Sequence, residues 1–311
     1  MCDTVVRRGA AKIYLSTCRC IYRNLAFEEF LFRNHNLEKQ PFAMLLWSNN
    51  PAVVIGRHQN PWVEANLDFL NDFNIDLARR HSGGGTVYHD RGNLNISFIT
   101  SHKDHCRPKN LRFLADFLNR KFGLQIVPTK RDDMELPPRK SDETPRKISG
   151  TAARIARGRA YHHLTLLVDS KADILKAALK SPFRDQIETN ASKSVRAAKV
   201  GCMREDKANI SLEEVRRGII KAFEEGHEEC EIEHVDVQKI SEQETEVVTN
   251  LEELLSWEWR YGKTPKFIFT TKNGHLKVEV EKGKISKIEG NAHDRHDLIR
   301  QRFDSGKFQN F

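Results

Sequence analysis

The sequence predicts an α/β protein, a mixed β-sheet with covering helices, followed by a short C-terminal α+β segment. Two observations carry this. Apolar residues recur with period 2 over short runs and with period 3.6 over the stretches between them. The strand-sized runs also cluster in the first 170 residues with helical stretches between them, the pattern of helices laid on a sheet. The chain has 311 residues, 39% hydrophobic and 30% charged, which suits one large or two unequal globular domains. Its apolar runs, such as "AMLLW" and "LTLLV", are strand-sized and far short of the ~20 residues needed to cross a membrane.

The elements follow in chain order. "AKIYLS" reads as a strand. "NLAFEEFLFRNH" reads as a helix capped by Asn24, with Leu25, Phe27, Phe30 and Leu31 facing inward. "AMLLWS" and "AVVIG" are strands split by the turn signal "NNP". Pro61 suits the first turn of a helix running through "WVEANLDFLNDF". "IDLARR" is a strand leading into three consecutive glycines, and "TVYH" and "LNISFIT" are strands joined by "DRG", a hairpin signal. "NLRFLADFLNRKF" is an amphipathic helix, and "LQIVP" a strand after it. Residues 134–146 are polar and proline-bearing, hence an exposed loop or hairpin insertion. "KISGTAARIARGRAYHHLTLLVD" makes two strands around a Gly-containing turn. The helices "ADILKAAL" and "SLEEVRRGIIKAF" come next. Beyond "WEWRYGKTPKF", the strands "FIFTT", "HLKVEVE" and "KISKIEG" precede a final helix around "DRHDLIRQRF". There is no internal repeat.

The six cysteines lack a framework spacing, so reduced thiols in an intracellular compartment are expected. "HKDHC" and "HEEC" lie in polar stretches without a second ligand set and read as solvated loops; no metal site is expected. The net charge of +8 admits nucleic acid, a membrane surface or an acidic protein as partner. Positive residues are interleaved with Asp and Glu, and no basic stripe with aromatics appears, which leaves a solvated surface or an acidic protein partner. The N-terminus carries three arginines and one acidic residue in its first nineteen positions, compatible with a short mitochondrial presequence although "KIYLS" already reads as strand.

Chemistry concentrates at "RRHSGGGTVYHDRGN", residues 79–93. A nucleoside triphosphate loop needs the glycines to feed a helix and end in Lys-Ser/Thr. Here they feed Thr86 and Val87, and a dinucleotide fingerprint fails for the same reason. A plain glycine-rich hairpin remains one reading. The other is an anion site: consecutive glycine N–H groups form a nest, and Arg79 and Arg80 beside it add charge for a phosphate. On this reading Arg80, Gly83, Gly84, Gly85, Thr86 and Val87 surround a bound nucleotide.

With "VVIGRHQNPW", "NLAFEE", "KISGTA" and "YHHLTLL" in the same order, this stretch resembles the lipoate–protein ligase and lipoyltransferase family over about residues 12–267. "KISGTA", "AYHH", "LKSP" and "WEWRYGKTPKF" resemble its animal mitochondrial branch. The resemblance implies a fold like that of biotin and lipoate–protein ligases and class II synthetases, with residues 1–267 as catalytic domain and 268–311 as a short accessory segment. It implies a lipoyl-nucleotide such as lipoyl-AMP, an acyl–phosphate mixed anhydride, held in a bent tunnel. Lys147 matches the family's lysine that contacts both carbonyl and phosphate, a bridging role that suits a compact ammonium. Arg131, Tyr88 and Thr165 match residues that contact the intermediate. Read alone, Arg131 is a partner for Asp132 or Asp133, Tyr88 core and Thr165 strand filler. The later contacts fall on Val195 and Ala197, where only "SVR" agrees well with bacterial relatives.

Of His162 and His163, neighbours on a strand, at most one can face the site. His89 and Asp90 read as shaping the turn. By resemblance, the nucleophile is the lysine of an acidic lipoyl domain, from 2-oxoacid dehydrogenase E2 subunits or the glycine cleavage H protein. The protein is then a mitochondrial monomer, with neither nucleic acid nor membrane as partner. Family members usually carry a larger C-terminal domain, so the expectation is transfer from a ready-made donor, with Mg2+ and ATP involved only if the protein activates lipoate itself. A full ATP-dependent ligase is the alternative, and a non-enzymatic basic binding protein a distant one. Biotin–protein ligases have a different glycine signature, and no cysteine here fits an octanoyltransferase motif.

Overall fold

Two adjacent runs with apolar residues at nearly every position, β1 (Ala10–Ser16) and β2 (Phe42–Trp47), lie parallel within a six-stranded sheet. Such runs are what a strand covered on both faces requires. Ile13, Leu15, Met44 and Leu46 enter one core, while Tyr14, Ala43, Leu45 and Trp47 enter the other. The protein is described by a computed structural model covering residues 9–140, 143–195, 199–290 and 296–304.

The remaining elements follow in order. They are α1 (Ile21–Asn34), β3 (Ala52–Ile55), α2 (Pro61–Glu64), α3 (Leu67–Asp72), β4 (Asp76–Arg79), β5 (Val87–His89), β6 (Asn93–Ser101) and α4 (Arg107–Phe122). Next come β7 (Val127–Pro128), β8 (Met134–Leu136), β9 (Arg146–Lys147), β10 (Ser149–Ala156), β11 (Arg159–Leu167), α5 (Ala172–Ala178), β12 (Ile187–Thr189) and α6 (Leu212–Glu225). The chain continues with β13 (Glu229–Val235), α7 (Val237–Gln243), α8 (Thr245–Leu255), β14 (Phe267–Thr270), β15 (Leu276–Glu281) and β16 (Lys284–Gly290).

The main sheet runs β10-β11-β6-β2-β1-β13 and is mixed, with β13 parallel to β1. Helices α4 and α6 cover one face through Leu111, Leu114, Leu118, Val215, Ile219 and Phe223. Helices α1, α7 and α8 cover the other. Smaller sheets are β4-β3-β5, β7-β8-β9 and β12-β14-β15-β16. The last unites Ile187–Thr189 with the C-terminal strands around a core that includes Trp62 and Phe303.

Several expectations need correction. β5 and β6 are not a hairpin: β5 pairs with β3, and β6 pairs with β2 and β11 in the main sheet. The chain changes sheets at Gly92, whose Cα lies against the Asp169 carbonyl and leaves no room for a side chain. Asn24 is not a cap but sits within α1, its amide donating to the Cys18 carbonyl and to Asn49. Phe30 is only partly buried. The expected helix after Pro61 divides in two because Asn66 accepts from the Phe69 N–H and caps a new start. In the 134–146 stretch Met134, Leu136 and Arg146 are buried, so only the tip of that hairpin is exposed. The final helix is a 3₁₀ turn, His296–Leu298, among the described residues. Among the described residues Cys18, Cys20, Cys202 and Cys230 are free.

Candidate active site

The glycine turn between β4 and β5 is built from its two arginines. Arg79 is fully buried and donates to five carbonyl oxygens: Gly56 (3.3 Å), Arg57 (3.0 Å), Gln59 (2.7 Å), Trp259 (2.9 Å) and Arg260 (2.8 Å). It also donates to Thr264 Oγ1 at 3.0 Å. Arg80 donates through Nη2 to the carbonyls of Gly83 (2.5 Å) and Gly85 (2.7 Å), through Nη1 to Val54 O (3.1 Å), and through Nε to Ser82 Oγ (2.9 Å). Burial lowers both guanidinium pKa values to about 10, so both stay charged at neutral pH. Arg80 thus folds the turn by binding the Gly83 and Gly85 carbonyls, and Arg79 ties residues 56–59 to residues 259–264. The donors of both arginines point at protein oxygens, where the sequence suggests a phosphate.

Gly84 has φ +84°, and a Cβ there would lie 3.1 Å from Arg80 Nη2 and 3.2 Å from the Ala152 methyl, so glycine is required on both counts. Gly85 lies against Ser194, whose hydroxyl accepts from the Thr86 N–H at 2.7 Å. Gln59 and the buried Glu64 complete this contact: Gln59 donates to Ser194 Oγ (3.0 Å), and Glu64 accepts from the Ser194 N–H (2.9 Å).

Two chambers flank the turn. An apolar one is walled by Leu25, Trp47, Val54, Ala152 and Leu164, with Arg80, His89 and His163 as polar members. A more polar one is lined by Thr86, Tyr88, Lys147, Ser194 and Val195. Val87, Gly150 and Thr165 line both, so the chambers lie on either side of these three residues. A Cβ on Gly150 would sit 2.7 Å from Val87 Cγ1.

Lys147 enters the polar chamber from β9, with Nζ 2.6 Å from Asp133 Oδ2. Asp132 pairs with Arg107 at 3.1 Å, so neither aspartate serves Arg131. Arg131 is exposed and lies outside the lining of both chambers, as do Gly83, Gly84 and Gly85. Ala197 lies outside the described residues.

His163 and His162 face opposite sides of β11. His163 Nδ1–H donates to the Glu28 carboxylate at 3.0 Å, which leaves Nε2 to accept from Ser82 Oγ at 2.9 Å. His162 is buried beside Asn110 and is held neutral, burial pushing its pKa well down. His89 is likewise kept neutral, its pKa lowered to about 3 by burial and the Arg80 charge. Among the described residues no cluster of three His, Cys, Asp or Glu side chains could hold a metal. Asp133, Gly150, Ser194 and Glu28 were missed by sequence reasoning. Only Gly150 carried a signal, as the glycine inside "KISGTA".

The site is an apolar chamber beside a polar one that holds an ammonium, with Val87, Gly150 and Thr165 in the walls of both. Residues 20–224 match the lipoyl protein ligase A/B catalytic domain. The chain is 38% identical over 267 residues to the mitochondrial lipoyl amidotransferase of Homo sapiens, covering 84% of this chain and 69% of that protein. It is 35% identical over 257 residues to lipoate-protein ligase A of Bdellovibrio bacteriovorus, covering 82% and 73%. The bipartite lipoate protein ligase of Thermoplasma acidophilum, solved in a study of that ligase and its E2 lipoyl domain, superposes with a TM-score of 0.62 at 26% identity, over 82% of this chain and 96% of that one. The chain belongs to the lipoyl protein ligase A/B catalytic-domain family.

Proposed function

We propose that the protein transfers a lipoyl group from lipoyl-AMP, or a related activated donor, to a lysine of an acceptor lipoyl domain. The lipoyl chain occupies the apolar chamber, and the nucleotide lies in the polar chamber beside Tyr88, Thr86 and Val195. The acyl–phosphate carbonyl then falls beside Val87, Gly150 and Thr165. The neutral amine of the acceptor lysine attacks the carbonyl carbon. A C–N bond forms, the C–O bond to phosphate breaks, the nucleotide leaves and the nitrogen gives up its proton to solvent. Lys147 stabilises the charge that builds on the carbonyl oxygen and the departing phosphate. The enzyme positions the two reactants and takes no acyl group onto itself.

The observation that carries this reading is the apolar chamber set against the polar one that Lys147 lines, with Val87, Gly150 and Thr165 common to both. The name of the human relative supports amide transfer of a lipoyl group and a mitochondrial location. The named E2 lipoyl domain of the archaeal ligase supports an acceptor of that class, as in 2-oxoacid dehydrogenase E2 subunits and the glycine cleavage H protein. The test is to incubate the purified protein with an apo lipoyl domain and, separately, lipoyl-AMP, lipoate with ATP and Mg2+, or a lipoylated carrier protein. Mass spectrometry should show one lipoyl group added to the acceptor from lipoyl-AMP. No addition from any donor refutes the reading. A second reading, complete ATP-dependent ligation, is favoured by the 35% identity to a lipoate-protein ligase A. Pyrophosphate release from lipoate and ATP as fast as transfer would select it.

A further inference from the structure

Next to Lys147 in the chain, Arg146 is 1% exposed and forms a junction of its own. Its Nη1 donates to Glu205 Oε2 (2.9 Å) and its Nη2 to Asp206 Oδ2 (2.6 Å). Nε and Nη2 also donate to the Pro137 carbonyl at 3.2 and 3.0 Å. Arg139 reaches the same two acidic residues from the hairpin tip, with Nε 3.4 Å from Asp206 Oδ1. One guanidinium thereby ties the hairpin, β9 and the 3₁₀ turn Met203–Glu205 together.

β9 is only two residues long, too little strand to fix the direction of a four-carbon side chain by itself. The backbone of Lys147 is held on its other side by residues 199–201. Its N–H donates to Lys199 O and its carbonyl accepts from Gly201 N–H, both at 3.0 Å. A Cβ on Gly201 would lie 3.0 Å from Arg146 Cβ, so this stretch is pressed against the arginine. Val200, between the two hydrogen bonds, lines the polar chamber together with Lys147. Arg146 is buried while Glu205 and Asp206 are partly exposed, so the pairs add modest stability, whereas a guanidinium fork on two carboxylates is strongly directional. Its place beside Lys147 therefore points to orientation.

We propose that Arg146 is a positioning residue for acyl transfer. Its fork, held by Glu205, Asp206 and the Pro137 carbonyl, fixes β9 so that the Lys147 ammonium faces the polar chamber, and it holds Val200 on the same wall. This rests on the reading of Lys147 as the group that touches the donor.

The experiment separates positioning from stability. Arg146→Gln is titrated with a non-hydrolysable lipoyl acyl-sulfamate to count competent sites. Single-turnover transfer from lipoyl-AMP to an apo lipoyl domain is then measured per competent site. The rate per site should fall about 10–100-fold, since small misplacements of a catalytic group cost up to about that much. In a Lys147→Met background the same change should lower the rate by less than about 2-fold, because the two residues act as one unit. Asp206→Asn, which leaves Glu205 on the arginine, should show the same pattern in milder form and serves if Arg146→Gln does not fold. An unchanged rate per site overturns the proposal, as does a full additional loss in the Lys147→Met background. A wild-type rate for Lys147→Met alone refutes the reading of Lys147, and the proposal with it.

Discussion

Lys147 Nζ lies 2.6 Å from Asp133 Oδ2, and both side chains are only partly exposed. The carboxylate holds the ammonium at the wall of the polar chamber, where an arriving phosphate must compete for it. Lys147→Met should slow transfer from lipoyl-AMP by about 10²–10³-fold, the usual cost of losing an oxyanion donor. Lys147→Arg should recover only part, because a planar fork does not reproduce a compact ammonium contact. Intact-mass measurement of enzyme with donor and no acceptor should show no lipoyl adduct. An adduct on Lys147 that acceptor removes would mean that the lysine carries the acyl group.

The shared wall of the two chambers makes its own prediction. Gly150→Ala places a methyl 2.7 Å from Val87 Cγ1 and should weaken lipoyl-AMP binding at least about 10-fold by calorimetry. Adding Val87→Ala removes the clashing methyl groups and should restore most of the affinity. No recovery in the double variant would show that the loss arose elsewhere.

Arg79 is expected to matter for folding. Arg79→Met strips a buried set of carbonyl oxygens of their donor, and each buried polar group left unpaired costs about 1–3 kcal/mol. Urea denaturation should register a loss of at least about 3 kcal/mol. A loss below about 1 kcal/mol would mean that water replaces the guanidinium without penalty.

Stability should also fall on acidification below the histidine range. His89 and His162 stay neutral in the folded protein down to pH values far below 6.5, at about 3 for His89, whereas unfolded histidine protonates near 6.5. The unfolded state therefore binds more protons between those limits, and folding stability rises with pH across that window and levels off above it. Each group contributes about 1.4 kcal/mol per pH unit there. Together they should remove about 2–3 kcal/mol between pH 7 and pH 5.5. His89→Asn should flatten this slope, and an unchanged slope would remove His89 as its source.

What was legible in the sequence was local. The β10–β11 hairpin announced itself through Arg157 and Gly158, both at positive φ, between two alternating runs. Helix α6, read from "SLEEVRRGIIKAF", starts in the structure at a Ser211–Glu214 capping box. The order of motifs also led to the family. The sheet partner of β5 was not legible, because "DRG" is a turn signal whether or not the flanking strands pair with each other. Strand β13 was missed because "ECEIEHV" holds only three apolar residues, and its alternation of Glu with Cys230 and Ile232 lies on a largely exposed edge. At the site, the glycines were visible, but the direction of Arg80 was not. An arginine beside a glycine turn satisfies the same pattern whether it binds a ligand or the turn's own carbonyls, and only tertiary packing decides. Asp133 as the partner of Lys147 was hidden for the same reason, being fourteen positions away in sequence.

The grip of Arg79 on the Trp259 and Arg260 carbonyls bears on how the protein is made. These partners lie 180 and 181 positions downstream, and β1 finds its parallel neighbour β13 at a comparable remove. During synthesis at about 5–20 residues per second, the glycine turn waits roughly 10–40 s for the carbonyls that complete it. Through that interval Arg79 lacks two of its carbonyl partners and β1, paired with β2, has its other edge open, the condition in which chaperones bind. A chain arrested before Trp259 emerges carries Gly83, Gly84, Gly85 and Lys147 yet leaves Arg79 without the partners that bury it.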